Sequence, residues 1–137
     1  SLRRQRQMCI RDSRTPDFFA SIPMFEGANA FFWDIASDDS LPIILTACPK
    51  TNYAHVARQK KEWVSRHLSP DATVLPVLGS RHKPLFMHKL GDILIDDRED
   101  IVRAWVDEGG CGVFHEGNFE HSLQGVLLAL EKAPLDK

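Results

Sequence analysis

Two regimes of hydrophobic patterning alternate along this chain. Short, almost uniformly apolar runs occur at residues 43–47 ("IILTA"), 92–96 ("DILID") and 111–115 ("CGVFH"). Runs of this kind read as strands buried on both faces, as in parallel sheets. Between them lie longer stretches with apolar residues at helical spacing. Residues 52–68 ("NYAHVARQKKEWVSRHL") predict the clearest helix, with Val56, Trp63, Val64 and Leu68 near one face and the basic residues largely elsewhere. Residues 99–110 ("EDIVRAWVDEGG") predict a second, with Ile101, Val102, Trp105 and Val106 inward and Gly109 or Gly110 as its stop. Residues 121–133 predict a closing amphipathic helix. Residues 26–37 predict a shorter one with Ala30, Phe31, Trp33 and Ile35 as its apolar positions. Residues 73–79 ("TVLPVLG") form a strand interrupted by Pro76, which belongs at a sheet edge. Residues 15–25 ("TPDFFASIPMF"), broken by Pro16 and Pro23, read as a loop.

Strands alternating with helices imply an α/β fold with a parallel sheet. In such sheets ligands bind beyond the carboxyl ends of the strands. Thr46 lies at one such end, and Asp96 and Asp97 lie side by side at another. Adjacent carboxylates repel each other unless a cation or several donors satisfy them. Oxygen ligands of this type suit Mg²⁺, which takes one or two carboxylates, keeps water and binds substrate phosphate. A plainer role is capping the helix that begins near Glu99. The two roles are compatible, one aspartate capping and the other binding.

The ordered segments "IILTACP", "KKEWVSRHL" and "DILIDDREDIVRAWVDEGGCGVFH" resemble the haloacid dehalogenase-like (HAD) phosphatases, most of all the 5'(3')-deoxyribonucleotidase-type branch. The resemblance covers residues 18–115. It implies a Rossmann-like fold and Mg²⁺-dependent hydrolysis of phosphate monoesters, with nucleoside 5'-monophosphates as the favoured substrates. It also implies roles for particular residues. Thr46 matches the hydroxyl that bonds the transferring phosphoryl group. Lys60, three residues before Trp63, matches the lysine that offsets phosphoryl charge. Asp96 and Asp97 match the pair that holds or positions Mg²⁺. Lys83 is the second candidate for the phosphate lysine, ranked behind Lys60. Lys61 should sit about 100° round the helix from Lys60.

The family's first motif, DxDx[TV], supplies a nucleophilic aspartate and a general acid/base. No such pattern precedes Thr46. Asp12 and Asp17 are wrongly spaced, and "SDDS" (37–40) has no strand before it. The expectation is a chain that lacks the first, nucleophile-bearing strand and is inactive by itself, the activity belonging to a longer parent. A sheet short of one strand would also leave an open edge and an uncovered core. The alternative is a non-catalytic phosphate-binding or regulatory protein of the same fold.

The N-terminus alters the picture further. Residues 1–14 hold five arginines and one aspartate. They could form a basic arm for nucleic acid or a disordered tail. A third reading fits better, because "MCIRDS" matches the translation of a transposon-library sequencing adapter. The chain then divides into an adapter-like or disordered tail (1–14) and a partial HAD-like domain (15–137). Without the tail, 12 basic residues face 18 acidic ones, an excess of six negatives where the whole chain has two. That balance argues against a nucleic-acid partner. With 43% hydrophobic and 26% charged residues, the composition is that of an ordinary globular domain. No apolar run approaches the roughly 20 residues of a membrane span. Three cysteines without paired spacing suggest a reducing, cytoplasmic setting, and the six histidines show no zinc-ligand spacing. Cys48, near Thr46, reads as a small buried hydrophobe rather than a reactive thiol. The expected partner is a small phosphate monoester, with no membrane and with a homodimer as an allowed assembly.

Overall fold

The computed structural model describes residues 18–20, 27–37 and 40–132. In chain order the elements are β1 (Phe18–Ala20), α1 (Ala28–Ile35), β2 (Ile43–Cys48), α2 (Tyr53–His67) and β3 (Val74–Leu78). A 3₁₀ segment (Ser80–Phe86) follows, then β4 (Ile93–Asp96), α3 (Glu99–Asp107), β5 (Cys111–Phe114) and α4 (Phe119–Lys132). The five strands form one sheet in the order β3-β2-β1-β4-β5, and every pairing is parallel. The fold is therefore the α/β, Rossmann-like arrangement that the patterning implies.

Strand periodicity sorts the core into two layers. Phe18, Ile93, Ile95 and Val113 pack with Phe31 and Ile35 of α1 and Val126 of α4. Ala20 and Ile44 continue this layer against Phe32 of α1 and Val64 of α2. The opposite layer joins Phe19, Leu45, Val77 and Leu94 to Ile101 and Trp105 of α3, with Phe86 and Met87 packed against it. Val74–Leu78 lies at the sheet edge as Pro76 requires, and the Pro76 carbonyl accepts the Tyr53 hydroxyl at 2.6 Å.

Three expectations are corrected. Residues 18–20 are not loop: they form the central strand, paired on both sides, and Phe19 is fully buried. Propensity favours this once three consecutive apolar residues can be covered on both faces, whatever prolines flank them. In α1 the inward positions are Ala28, Phe31, Phe32 and Ile35, whereas Ala30 and Trp33 are exposed. The helix begins after Gly27, held at φ 97°, and this sets the phase of its buried stripe. Val106 is also exposed, since α3 buries only Ile101, Val102 and Trp105. Cys48 is buried as expected. The tail at 1–14, and any strand upstream of it, lie outside the described residues. No helix among the described residues is long and apolar enough to cross a membrane.

Candidate phosphate and metal site

The sheet register sets the frame of the site. Ala20 pairs with Ile44 on one side and Ile95 on the other. Two residues further on, Thr46 and Asp97 therefore stand at the same level, beside the end of the short strand between them. Neighbouring strands lie about 4.8 Å apart, so these two backbones are separated by roughly 10 Å. The described residues of that central strand, Phe18, Phe19 and Ala20, carry no nucleophile.

Lys60 lies against the end of β2 that carries Thr46. Helix α2 carries it over β2, where its Nζ donates to the Ala47 carbonyl at 2.7 Å. Lys61, one position on, is exposed, as the helical step requires.

Lys83 meets the other strand end of the candidate site, at Asp96. The 3₁₀ segment after β3 buries it, and its Nζ lies 2.9 Å from Asp96 Oδ2, with side-chain exposures of 5% and 1%. The other Asp96 oxygen, Oδ1, accepts the backbone N–H of Arg98 at 2.9 Å. This is an Asx-type turn rather than the expected cap on the helix itself. The N-cap of α3 is Arg98, which makes no side-chain cap bond. Arg98 instead forks onto Asp100, at 2.8 and 3.3 Å, and holds that carboxyl below its usual value. The two candidate lysines thus meet different partners, Lys60 the Ala47 carbonyl and Lys83 the Asp96 carboxylate.

Asp97 is exposed. Partial desolvation pushes its carboxyl above the ordinary 3.8, and the hydrogen bond and negative charge of Asp96 add to this. Its own backbone N–H and the charge of Lys83 pull the other way. The folded chain therefore binds this proton more tightly than the unfolded chain does. Ionised Asp97 opposes folding as pH rises above 3.8 and through its raised folded value. Asp97→Asn should stabilise the chain at pH 7, by no more than about 1 kcal/mol given solvent screening. The gain should vanish at pH 3, where both side chains are neutral. Urea midpoints at the two pH values check this, and equal midpoints at pH 7 would count against it.

A residue missed in the sequence completes the edge. His115 follows β5, with only 2% exposure, and its backbone N–H donates to the Asp96 carbonyl at 2.8 Å. Its Nδ1 lies 2.8 Å from Ser122 Oγ of α4, and its ring lies against Phe119 with centroids 4.5 Å apart. Nε2 is buried and has no hydrogen-bond partner among the described residues. Burial pushes the imidazole below its usual value against the opposing pull of Asp97. The available signal was an inward polar position following Val113, two residues earlier on the same face. The Ser122 contact arises only from packing a strand against a helix.

No group of three or more His, Cys, Asp or Glu side chains that could hold a metal occurs among the described residues. A pair of adjacent carboxylates, one already satisfied and one exposed with a raised proton affinity, fits an ion that needs few protein ligands. Mg²⁺ is such an ion.

Among known proteins, the chain is 33% identical over 89 residues to the "Putative 5'(3')-deoxyribonucleotidase" of Bordetella pertussis (strain Tohama I). The alignment covers 65% of this chain and 45% of that protein, so the chain spans about half the length of the curated relative it matches. No protein-family profile matches the chain. No solved structure matches it.

Proposed function

We propose that this chain carries the phosphate- and metal-binding edge of a Mg²⁺-dependent phosphomonoesterase of the HAD type, acting on nucleoside monophosphates. The observation that carries the reading is the placement of Thr46 with Lys60, and of Asp96 and Asp97, at the carboxyl ends of the two strands flanking β1. The similarity to a protein named as a deoxyribonucleotidase supports the substrate class.

In this reading the Thr46 hydroxyl donates to a phosphoryl oxygen. The Lys60 ammonium turns from the Ala47 carbonyl to face the phosphoryl charge. Asp97 is the carboxylate turned toward Mg²⁺, because Asp96 already has Lys83 on one oxygen and the Arg98 N–H on the other. Bound Mg²⁺ would neutralise phosphoryl charge as it develops. The family's nucleophile, an aspartate that would take the phosphoryl group as an aspartyl-phosphate, is supplied by none of Phe18, Phe19 or Ala20. That same observation favours a second reading, a protein that binds phosphate without hydrolysing it.

Calorimetry with inorganic phosphate, with and without Mg²⁺, tests the shared core of both readings. Phosphate should bind more tightly when Mg²⁺ is present. Thr46→Val and Lys60→Met should each weaken it by about 1.5–3 kcal/mol, the usual worth of a hydrogen bond to a charged group. Phosphate release from deoxynucleoside monophosphates then separates the two readings. The enzyme reading expects none from this chain and Mg²⁺-dependent release from a longer parent bearing DxDx[TV]. A parent without that motif and without release leaves the binding protein. Mg²⁺-independent phosphate binding that ignores both substitutions would sink both.

A further inference from the structure

His115 Nε2, buried and without a hydrogen-bond partner among the described residues, is left unexplained by the proposed chemistry. Its surroundings define what it can do. In the parallel ladder Asp96 pairs with Phe114, so Asp97 and His115 are the next residues on adjacent strands. The His115 N–H fixes that adjacency by donating to the Asp96 carbonyl. Side-chain alternation sends Val113 and His115 to the α4 face, where Ser122 holds Nδ1 and Phe119 covers the ring. One ring nitrogen is thus engaged and the ring is clamped. The other nitrogen is buried, and His115 and the exposed Asp97 each directly follow a paired residue of the two adjacent strands.

We propose that His115 is a positioning residue for Asp97. The Ser122 hydroxyl donates to Nδ1, which leaves the ring proton on Nε2, and Nε2–H donates to the Asp97 carboxylate, directly or through one water, when Asp97 holds a cation. Among neutral tautomers, only the one protonated at Nε2 can serve a carboxylate from this position. Outer hydrogen bonds of this sort orient metal-ligating carboxylates, and losing one typically costs 10–100-fold in metal affinity. The inference rests on the reading of Asp97 as the Mg²⁺ carboxylate.

The test uses the whole chain labelled with ¹⁵N-histidine and titrated with Mg²⁺ alone. Long-range ¹H–¹⁵N spectra report the tautomer. The expected result is an Nε2-protonated His115 whose Nε2 resonance moves with the same midpoint as the Asp97 amide, with the shift abolished by Asp97→Asn. His115→Phe, which keeps a ring against Phe119, should weaken Mg²⁺ binding by about 10-fold or more. His115→Gln, which keeps an N–H donor, should restore most of it. Backbone amide spectra confirm that each variant is folded. An Nδ1-protonated ring overturns the inference, as does a titration that saturates at Asp97 while His115 stays silent. Normal affinity in His115→Phe does the same. Each of those results leaves the phosphatase reading standing. Mg²⁺ that moves neither residue overturns the metal reading, and the inference falls with it.

Discussion

Lys83→Met should destabilise the folded chain by about 3–5 kcal/mol, the usual cost of removing one partner from a buried ion pair. Lys83 and Asp96 are 5% and 1% exposed and 2.9 Å apart. Methionine fills much the same volume, so the loss is electrostatic rather than a cavity. Asp96 would keep the Arg98 N–H on Oδ1 but lose the Lys83 ammonium from Oδ2. Against a typical total stability of about 5–15 kcal/mol, this is a severe loss. Urea denaturation reads it directly. The double variant Lys83→Met with Asp96→Asn separates charge from packing, because asparagine still offers Arg98 an acceptor. It should recover a large part of the loss. A single-variant effect under about 1 kcal/mol would mean that Asp96 does not depend on Lys83.

Trp105→Ala should cost a similar amount, about 3–5 kcal/mol, for a different reason. The indole is fully buried between the sheet and α3, tilted against Phe19 with centroids 5.1 Å apart. Its Nε1 donates to the Asp92 carbonyl at 2.9 Å. Gly110 leaves the room the ring needs, since a Cβ there would collide with the indole. Trp105→Phe should cost less than the alanine change. It keeps most of the apolar volume and gives up a hydrogen bond worth about 1 kcal/mol. The Asp92 carbonyl also accepts the Cys111 N–H at 2.8 Å, so it is not left bare. If phenylalanine proved as damaging as alanine, the hydrogen bond rather than packing would set the energy of this site.

Much of this architecture is legible in the sequence because each strand is either wholly apolar or marked by a breaker. "IILTA" and "DILID" announce buried parallel strands, and Pro76 announces an edge. The central strand is hidden because three residues are too few for a periodicity to register and prolines stand close by. The phase of α1 is hidden as well. Residues 28, 30, 31, 32 and 33 are all apolar or aromatic, so patterning alone does not decide which of them face inward. At the site, Thr46, Asp96 and Asp97 are visible as polar residues ending apolar runs. What separates Lys60 from Lys83 is three-dimensional: one rides a helix over β2, and the other is carried back by a 3₁₀ segment into the sheet's opposite layer. His115 escapes for a related reason, since its partner Ser122 is recruited by a helix whose docking no local pattern encodes.

The pairing of β1 also bears on how the chain reaches this state. Phe18 lies opposite Ile93, about 75 residues later, while β2 on its other flank is complete by residue 48. At translation rates of roughly 5–20 residues per second, the first strand waits several seconds for its second neighbour. During that time the β4 side of β1 is unpaired and Phe19 lacks the cover of Leu94 and Trp105. Sheets closed by such distant contacts fold slowly, because loop closure precedes the contacts that reward it. β1 therefore gains its full set of neighbours only once β4 has been made.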